Sequence, residues 1–180
     1  MTEDWKVVHD LLTESCQALF GDMGVKLTRV DKGSPGPART GERLAAFIGF
    51  SGDEMRGAIT LDLPSTLVAQ LHPSANQRPL DNDDLCDWAG ELANQLLGRL
   101  KNLLTRYAVL LQLSTPSCVW GRMHHGAKAS AQGSVEVHLG SAQDLLIVFF
   151  DAELLKPIDF SKPIEDTSQE PQAEGDVLFF

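Results

Sequence analysis

The chain has 180 residues, 43% of them hydrophobic and 22% charged, which supplies one apolar core and leaves too little length for two large domains. A formal net charge of −10 argues against nucleic acid as a partner, since phosphate backbones need a basic surface to displace their counterions. No apolar run is long enough for a membrane span, and Met1 to Asp10 lacks the basic-then-apolar order of a signal peptide. A cytoplasmic location without membrane contact is therefore expected. The three cysteines, Cys16, Cys86 and Cys118, have no metal-type spacing, and an odd count gives no closed disulfide framework, so reduced packed thiols are expected.

Trp5, Val8, Leu12 and Leu19 recur at helical spacing and predict a helix from Trp5 to about Phe20, ended by Gly21 and Gly24. A Pro/Gly-rich loop from Asp31 to Arg43 separates it from two strand-like runs, Leu44 to Phe50 and Gly57 to Leu63, which read as a hairpin. A short helix over Pro64 to Leu71 and a polar loop to Pro79 follow. Asp81, Asn82 and Asp83 offer N-caps for a long helix to about Arg106. Strands are then expected over Tyr107 to Leu113, Cys118 to His124, Ala127 to Leu139 with a break at Gly133, and Asp144 to Phe150. The predicted domain is 1–155. Residues 156–180 form an acidic, Pro/Glu/Gln/Ser-rich tail expected to be flexible, with an apolar tip, Val177 to Phe180, that either folds back on the sheet or docks on a partner. From Glu153 onward seven Asp/Glu face two Lys, so half of the net charge lies there.

Projected at ~100° per residue, the long helix places Leu85, Ala89, Leu92, Leu96, Leu100 and Leu103 on a core stripe. Asp87, Glu91, Asn94 and Gly98 fall on nearly the opposite side, at spacings of four, three and four. Glu91 and Asn94 are thus direct neighbours, an acid and an amide turned outward. Gly98 costs a helix interior about 1 kcal/mol relative to Ala but leaves bare backbone that another surface can approach. The first helix carries Asp10, Glu14, Gln17 and Gly21 at the same spacing, 77 residues earlier, and Leu27-Thr28-Arg29 falls in that register with Leu104-Thr105-Arg106. With the shared order of helix then hairpin, this predicts an internal duplication with a pseudo-two-fold arrangement. The expected fold is α+β: duplicated α-β-β halves form one mostly antiparallel sheet, with both motif helices packed on one face.

The run Asp87-Trp-Ala-Gly-Glu91-Leu-Ala-Asn94-Gln-Leu-Leu-Gly98 resembles, without gaps, the signature of the CheC/CheX/FliY-type chemotaxis phosphatases, and the chain is most similar to CheX-like members with one active site. The hairpin from Phe50 to Leu63 and the segment from Ser114 to Gly121 extend the resemblance over roughly residues 5 to 150. It implies hydrolysis of the aspartyl phosphate on a CheY-like receiver domain of a response regulator. Asn94 would orient the attacking water, and Glu91 would pair with a receiver lysine. Asp87, Gly98, Gln95 and Lys101 would contact the partner. No cofactor of its own is implied, because the receiver supplies Mg²⁺, and an already activated acyl phosphate needs only a positioned water. The copy at Asp10, Glu14, Gln17 and Gly21 departs from the pattern, since Gln17 carries one methylene more than the family's Asn, and inactivity or weak activity is expected there. A homodimer sharing sheet residues is also implied.

Each feature has a plainer reading. Glu-x-x-Asn alone is an ordinary solvated helix face, and Asp87 could serve only helix electrostatics. Adjacent His124 and His125 point to opposite sides of a strand and have no third ligand nearby, so no metal site is expected. Cys16 and Cys86 lack a basic neighbour in sequence that would activate a thiol, and Trp88 and Trp120 read as core or interface. The alternatives to a phosphatase are a non-catalytic receiver-binding module using the same helix face, and a scaffold relying on the acidic tail.

Overall fold

The structure, a computed structural model, describes residues 3–31, 41–121, 133–141 and 144–163. Helix α1 (Glu3–Asp22) leads through strand β1 (Thr28–Arg29) to the hairpin of β2 (Arg43–Ser51) and β3 (Met55–Pro64). The short helix α2 (Ser65–Leu71) and the long helix α3 (Asn82–Leu104) follow. A 3-10 turn (Thr105–Tyr107) then leads to β4 (Gln112–Leu113), β5 (Ser117–Trp120), β6 (Ser134–Gly140) and β7 (Leu145–Leu154). The sheet runs β1-β6-β7-β3-β2-β4, with β5 also on β2, and every pairing is antiparallel.

Alternation along the strands decides which side is covered. Ile48 and Phe50 of β2, Ile59, Leu61 and Leu63 of β3, Val137 and Leu139 of β6, and Val148 and Phe150 of β7 belong to one core with the buried residues of α1, α2 and α3. The opposite side of β7 carries a smaller cluster of Leu145, Ile147 and Phe149. Both motif helices therefore lie on one face of the sheet.

The strand order is a palindrome. Exchanging β1 with β4, β2 with β6 and β3 with β7 regenerates it, and the two halves meet where β3 pairs with β7 around Thr60 and Phe149. In the helices the 77-residue register holds: Val8 and Leu85, Leu12 and Ala89, Cys16 and Ala93, Leu19 and Leu96, and Phe20 and Leu97 are all buried. Asp22 and Arg99, equivalent in that register, meet each other in an ion pair at 2.9 Å, as residues beside a two-fold axis do. The halves are thus duplicated as expected, with short extra strands beyond the predicted α-β-β units.

The register does not continue to Thr28-Arg29. In α1, Gly24 (φ 80°) donates to Gly21 O and Val25 N–H to Phe20 O, which closes the helix in a Schellman motif. The same pair of bonds recurs at the end of α3, from Ala108 (φ 57°) to Thr105 O and from Val109 to Leu104 O, now offset by 84 residues. Past the motif, α3 runs seven residues, about two turns, further to its closure than its counterpart does. The structural partner of Thr28–Arg29 is consequently Gln112–Leu113, each pairing with the end of a hairpin strand, whereas Thr105 and Arg106 lie in the 3-10 turn. Gly21 is correspondingly still helical, and the strand expected from Tyr107 shrinks to Gln112–Leu113 because the helix closure occupies 105–109.

Gly133, in the turn before β6, sits where a Cβ would lie 2.0 Å from the Trp5 ring, and residues 127–132 of the strand expected to break there lie outside the described residues. Residues 32–40 of the Pro/Gly loop, 122–132 with His124 and His125, and 164–180 with the apolar tip lie outside the described residues. Packing continues past residue 155, with Phe160 buried and its ring 5.2 Å from that of Tyr107.

One charged pair is enclosed in the sheet. Arg43, at the start of β2, is 2% exposed, and its Nε donates to the fully buried Asp62 carboxylate of β3. Its Nη2 donates to Asp62 O at 3.0 Å and Leu145 O at 2.7 Å, so one guanidinium ties together β2, β3 and β7. Removing one partner of such a pair leaves a buried charge without compensation. Asp62→Ala is expected to cost about 3–5 kcal/mol in denaturant unfolding, and Arg43→Met/Asp62→Leu distinctly less than that single change.

Candidate functional site

The motif helix is fixed at its beginning by reciprocal caps. The Asp81 carboxylate accepts from Asp84 N–H at 2.9 Å, and the Asp84 carboxylate accepts from Asp81 N–H at 3.0 Å, a capping box. Arg78 grips Asp84 from the preceding loop with both Nη atoms. These bonds hold the Asp84 carboxyl far below the usual carboxylate range, the Arg78 hydrogen bond being the largest cause. Burial of Leu85, Ala89, Gly90, Leu92, Ala93, Leu96, Leu97, Leu100 and Leu104 then sets the rotation of α3 about its axis. The buried side is wider than the stripe read from the sequence, because α3 lies against the sheet, α1 and α2 at once. Leu103, placed in that stripe, is only partly buried.

This rotation leaves Asp87 exposed and Glu91, Asn94, Gln95, Gly98 and Lys101 half-buried. The Gln95 amide Nε2 donates to Glu91 Oε1 at 2.9 Å and so fixes the direction of the Glu91 carboxylate. A Cβ built on Gly98 would meet nothing within 4 Å, so its missing side chain serves no internal packing. Gly90, one turn before Asn94, is packed on Pro116, whose Cβ would lie 3.5 Å from an added Cβ. This contact brings the β4–β5 connection against the helix. The two elements bound an open cleft of about 400 Å³, lined by Cys86, Asp87, Gly90, Glu91, Pro116, Ser117 and Cys118. The β5 wall, Ser117 and Cys118, was not marked as a site by sequence; its only signal was the Ser114 to Gly121 resemblance.

The first-helix copy differs in more than one methylene. Asp10, Glu14, Gln17 and Gly21 are exposed along α1, but the Gln17 amide donates to Leu27 O at 3.1 Å and is thereby held against its own chain. Position 18, equivalent to Gln95, is an alanine, so Glu14 lacks the amide that directs Glu91.

Among the other residues singled out, Cys16 is completely enclosed, and burial pushes its thiol well up from the ordinary range. Trp88 and Trp120 are half-buried against the main core, with Trp88 edge-on to His72 at 5.8 Å. Among the described residues there is no group of three or more His, Cys, Asp or Glu able to hold a metal ion, and no helix long and apolar enough to cross a membrane.

Comparison with known proteins agrees with the fold. A family model described as chemotaxis phosphatase CheX matches residues 44–139, more than half of the chain and the whole of α3. The chemotaxis protein CheX of Vibrio vulnificus is similar in structure, with a TM-score of 0.66 at 19% identity over 81% of this chain and 96% of that one. A CheC-like superfamily protein from Shewanella sp. PV-4 gives 0.66 at 20% over 85% and 99%. The CheX-CheY-BeF3-Mg²⁺ complex from Borrelia burgdorferi gives 0.54 at 14% over 80% and 96%. Among curated proteins no relative is matched. At these identities the structural likeness speaks for the fold.

The Asp84 geometry carries a pH dependence. A carboxyl whose folded pKa is depressed stabilises the fold above its unfolded value, and that contribution is lost as pH falls through the folded value. The stability difference between the wild type and Asp84→Asn should therefore be constant at neutral pH. It should shrink below about pH 4, the ordinary carboxylate value, and be gone in strong acid, as followed by denaturant unfolding at each pH.

Proposed function

The chain belongs to the CheX family of chemotaxis phosphatases, and from that premise we propose that it hydrolyses the aspartyl phosphate of a CheY-like receiver domain in chemotaxis or motility signalling. The observation that carries this reading is the outward line of Asp87, Glu91, Asn94 and Gly98 on α3, with Glu91 already directed by Gln95. The CheX-CheY complex of Borrelia burgdorferi supports a receiver as the partner.

The chemistry asked of these residues is small. Hydrolysis joins a water oxygen to phosphorus and breaks the bond from phosphorus to the receiver's aspartyl oxygen, and the leaving carboxylate is already a good one. Mg²⁺ held by the receiver offsets phosphoryl charge, and the residues here need only position the water in line. Asn94 can do so through its amide, which accepts and donates without titrating. Glu91 reaches a receiver lysine and fixes the docking register, with Asp87 and Lys101 as further charged contacts at the two ends of the line. Gly98 admits the receiver backbone. The Gln17 copy is taken as inactive or weak, because its amide is bound to Leu27 O and its acid is undirected. A homodimer sharing sheet residues is proposed on the family resemblance alone, and the solution mass of the full chain decides it.

Dephosphorylation of acetyl-phosphate-labelled receivers from the same genome tests the reading. The wild type should accelerate decay of at least one receiver, Asn94→Ala should lower that rate by about 10²–10³-fold, and Gln17→Ala should leave it nearly unchanged. Binding without acceleration by the wild type would instead make the protein a recognition module that uses the same face. Gly98→Ala separates docking from folding. It should raise helix stability by up to about 1 kcal/mol while lowering turnover, because a methyl group there meets only the partner.

A further inference from the structure

The cleft beside Glu91 contains a pair of thiols that the phosphatase reading does not use. Cys86 stands on α3 immediately before Asp87, and Cys118 stands in the middle of β5. Both are reduced, half-exposed and part of the same open cleft, whereas Cys16 is enclosed in the core. Burial, and after it the neighbouring Cys86 thiol across the cleft, raises the Cys118 thiol to about 12. Among the described residues no basic side chain lines the cleft. Two thiols line one cleft, one on a helix and one on a strand, and the two elements are packed together nearby through Gly90 and Pro116, so a bridge between the thiols would join elements that already touch.

We propose that Cys86 and Cys118 form a reversible disulfide site, oxidised by a low-molecular-weight disulfide of the glutathione class, whose closure fastens α3 to β5 beside the receiver-docking face. In the first exchange the Cys86 sulfur attacks the small disulfide, forming a mixed disulfide and releasing one small thiolate, which takes up the Cys86 proton. Cys118 then attacks the Cys86 sulfur, expelling the second small thiolate, which takes up the Cys118 proton. Two protein thiols are oxidised, one small disulfide is reduced to two thiols, and the charges balance. Cys118, which holds its proton strongly, is the resolving partner and not the first nucleophile. Reducing surroundings keep the pair open, and an oxidising shift closes it. Closure replaces two movable thiols by a rigid bridge in the wall that holds Asp87 and Glu91. The effect on docking rests on the proposed function, whereas the crosslink does not.

The test is to titrate the full chain with oxidised against reduced glutathione, map the peptides by mass spectrometry without reduction, and measure affinity for a beryllofluoride-activated receiver in both states. The expected result is an intramolecular Cys86–Cys118 crosslink reversed by dithiothreitol, Cys16 unmodified, and receiver affinity lower by about tenfold or more in the oxidised form, as misplacement at a docked site costs. Cys118→Ser should stop at the glutathione adduct on Cys86. Absence of the crosslink in the wild type, or a crosslink that leaves affinity unchanged, overturns the proposal. A reduced protein that binds no receiver overturns the phosphatase reading instead, and the peptide map still decides whether the thiols pair.

Discussion

Burial of one side of α3 is the constraint from which the rest of the structure follows. Nine residues between Leu85 and Leu104 are enclosed by the sheet and the neighbouring helices, and a helix with that much buried surface has no freedom to rotate about its axis. Its outward line is then determined by the 3.6-residue period alone. The capping box at Asp81 and Asp84 and the Arg78 clamp set where the helix begins. Gly90 on Pro116 sets how close the β4–β5 connection approaches. Positioning chemistry tolerates only small displacement of the positioned group, and a helix held on three sides meets that requirement better than a loop would.

The two halves keep one fold and differ along their outward helix faces. Leu12, Ser15, Cys16, Leu19 and Phe20 of α1 are buried like their equivalents Ala89, Leu92, Ala93, Leu96 and Leu97 of α3, and the palindromic sheet order preserves the arrangement around β3 and β7. What differs lies on the solvent side. Gln17 is drawn to Leu27 O, whereas its counterpart Asn94 is half-buried on α3. Alanine replaces the glutamine that directs the acid. Core positions are constrained by packing in both copies, whereas the outward positions of α1 carry no packing cost that would retain an asparagine.

Much of this was legible in the chain, for identifiable reasons. The motif on α3 stands out because helical periodicity sorts Glu91 and Asn94 from the leucines, and the 77-residue offset shows the duplication because core spacing is kept in both helices. The offset misleads past the helix ends. Two additional turns in α3 shift every later equivalence, and the left-handed residue that closes α3 is Ala108, not glycine, so the sequence carries no stop signal there. Val109 and Leu111 are buried in an irregular segment, and apolar residues at alternate positions read as a strand. The Arg43–Asp62 pair, the Gln95–Glu91 bond seen as a constraint on the acid, and the cleft shared by Cys86 and Cys118 depend on how side chains meet in the folded chain. The first and last join distant parts of the chain, which periodicity does not report.

The central claim is that the α3 face, and not its α1 counterpart, is where the receiver docks. Hydrogen exchange of the full chain, with and without a beryllofluoride-activated CheY-like receiver, tests it most directly. The account predicts added protection along residues 86–98 and in the β5 wall at 116–118, with residues 9–21 unchanged. Protection on α1 with α3 unaffected would contradict it.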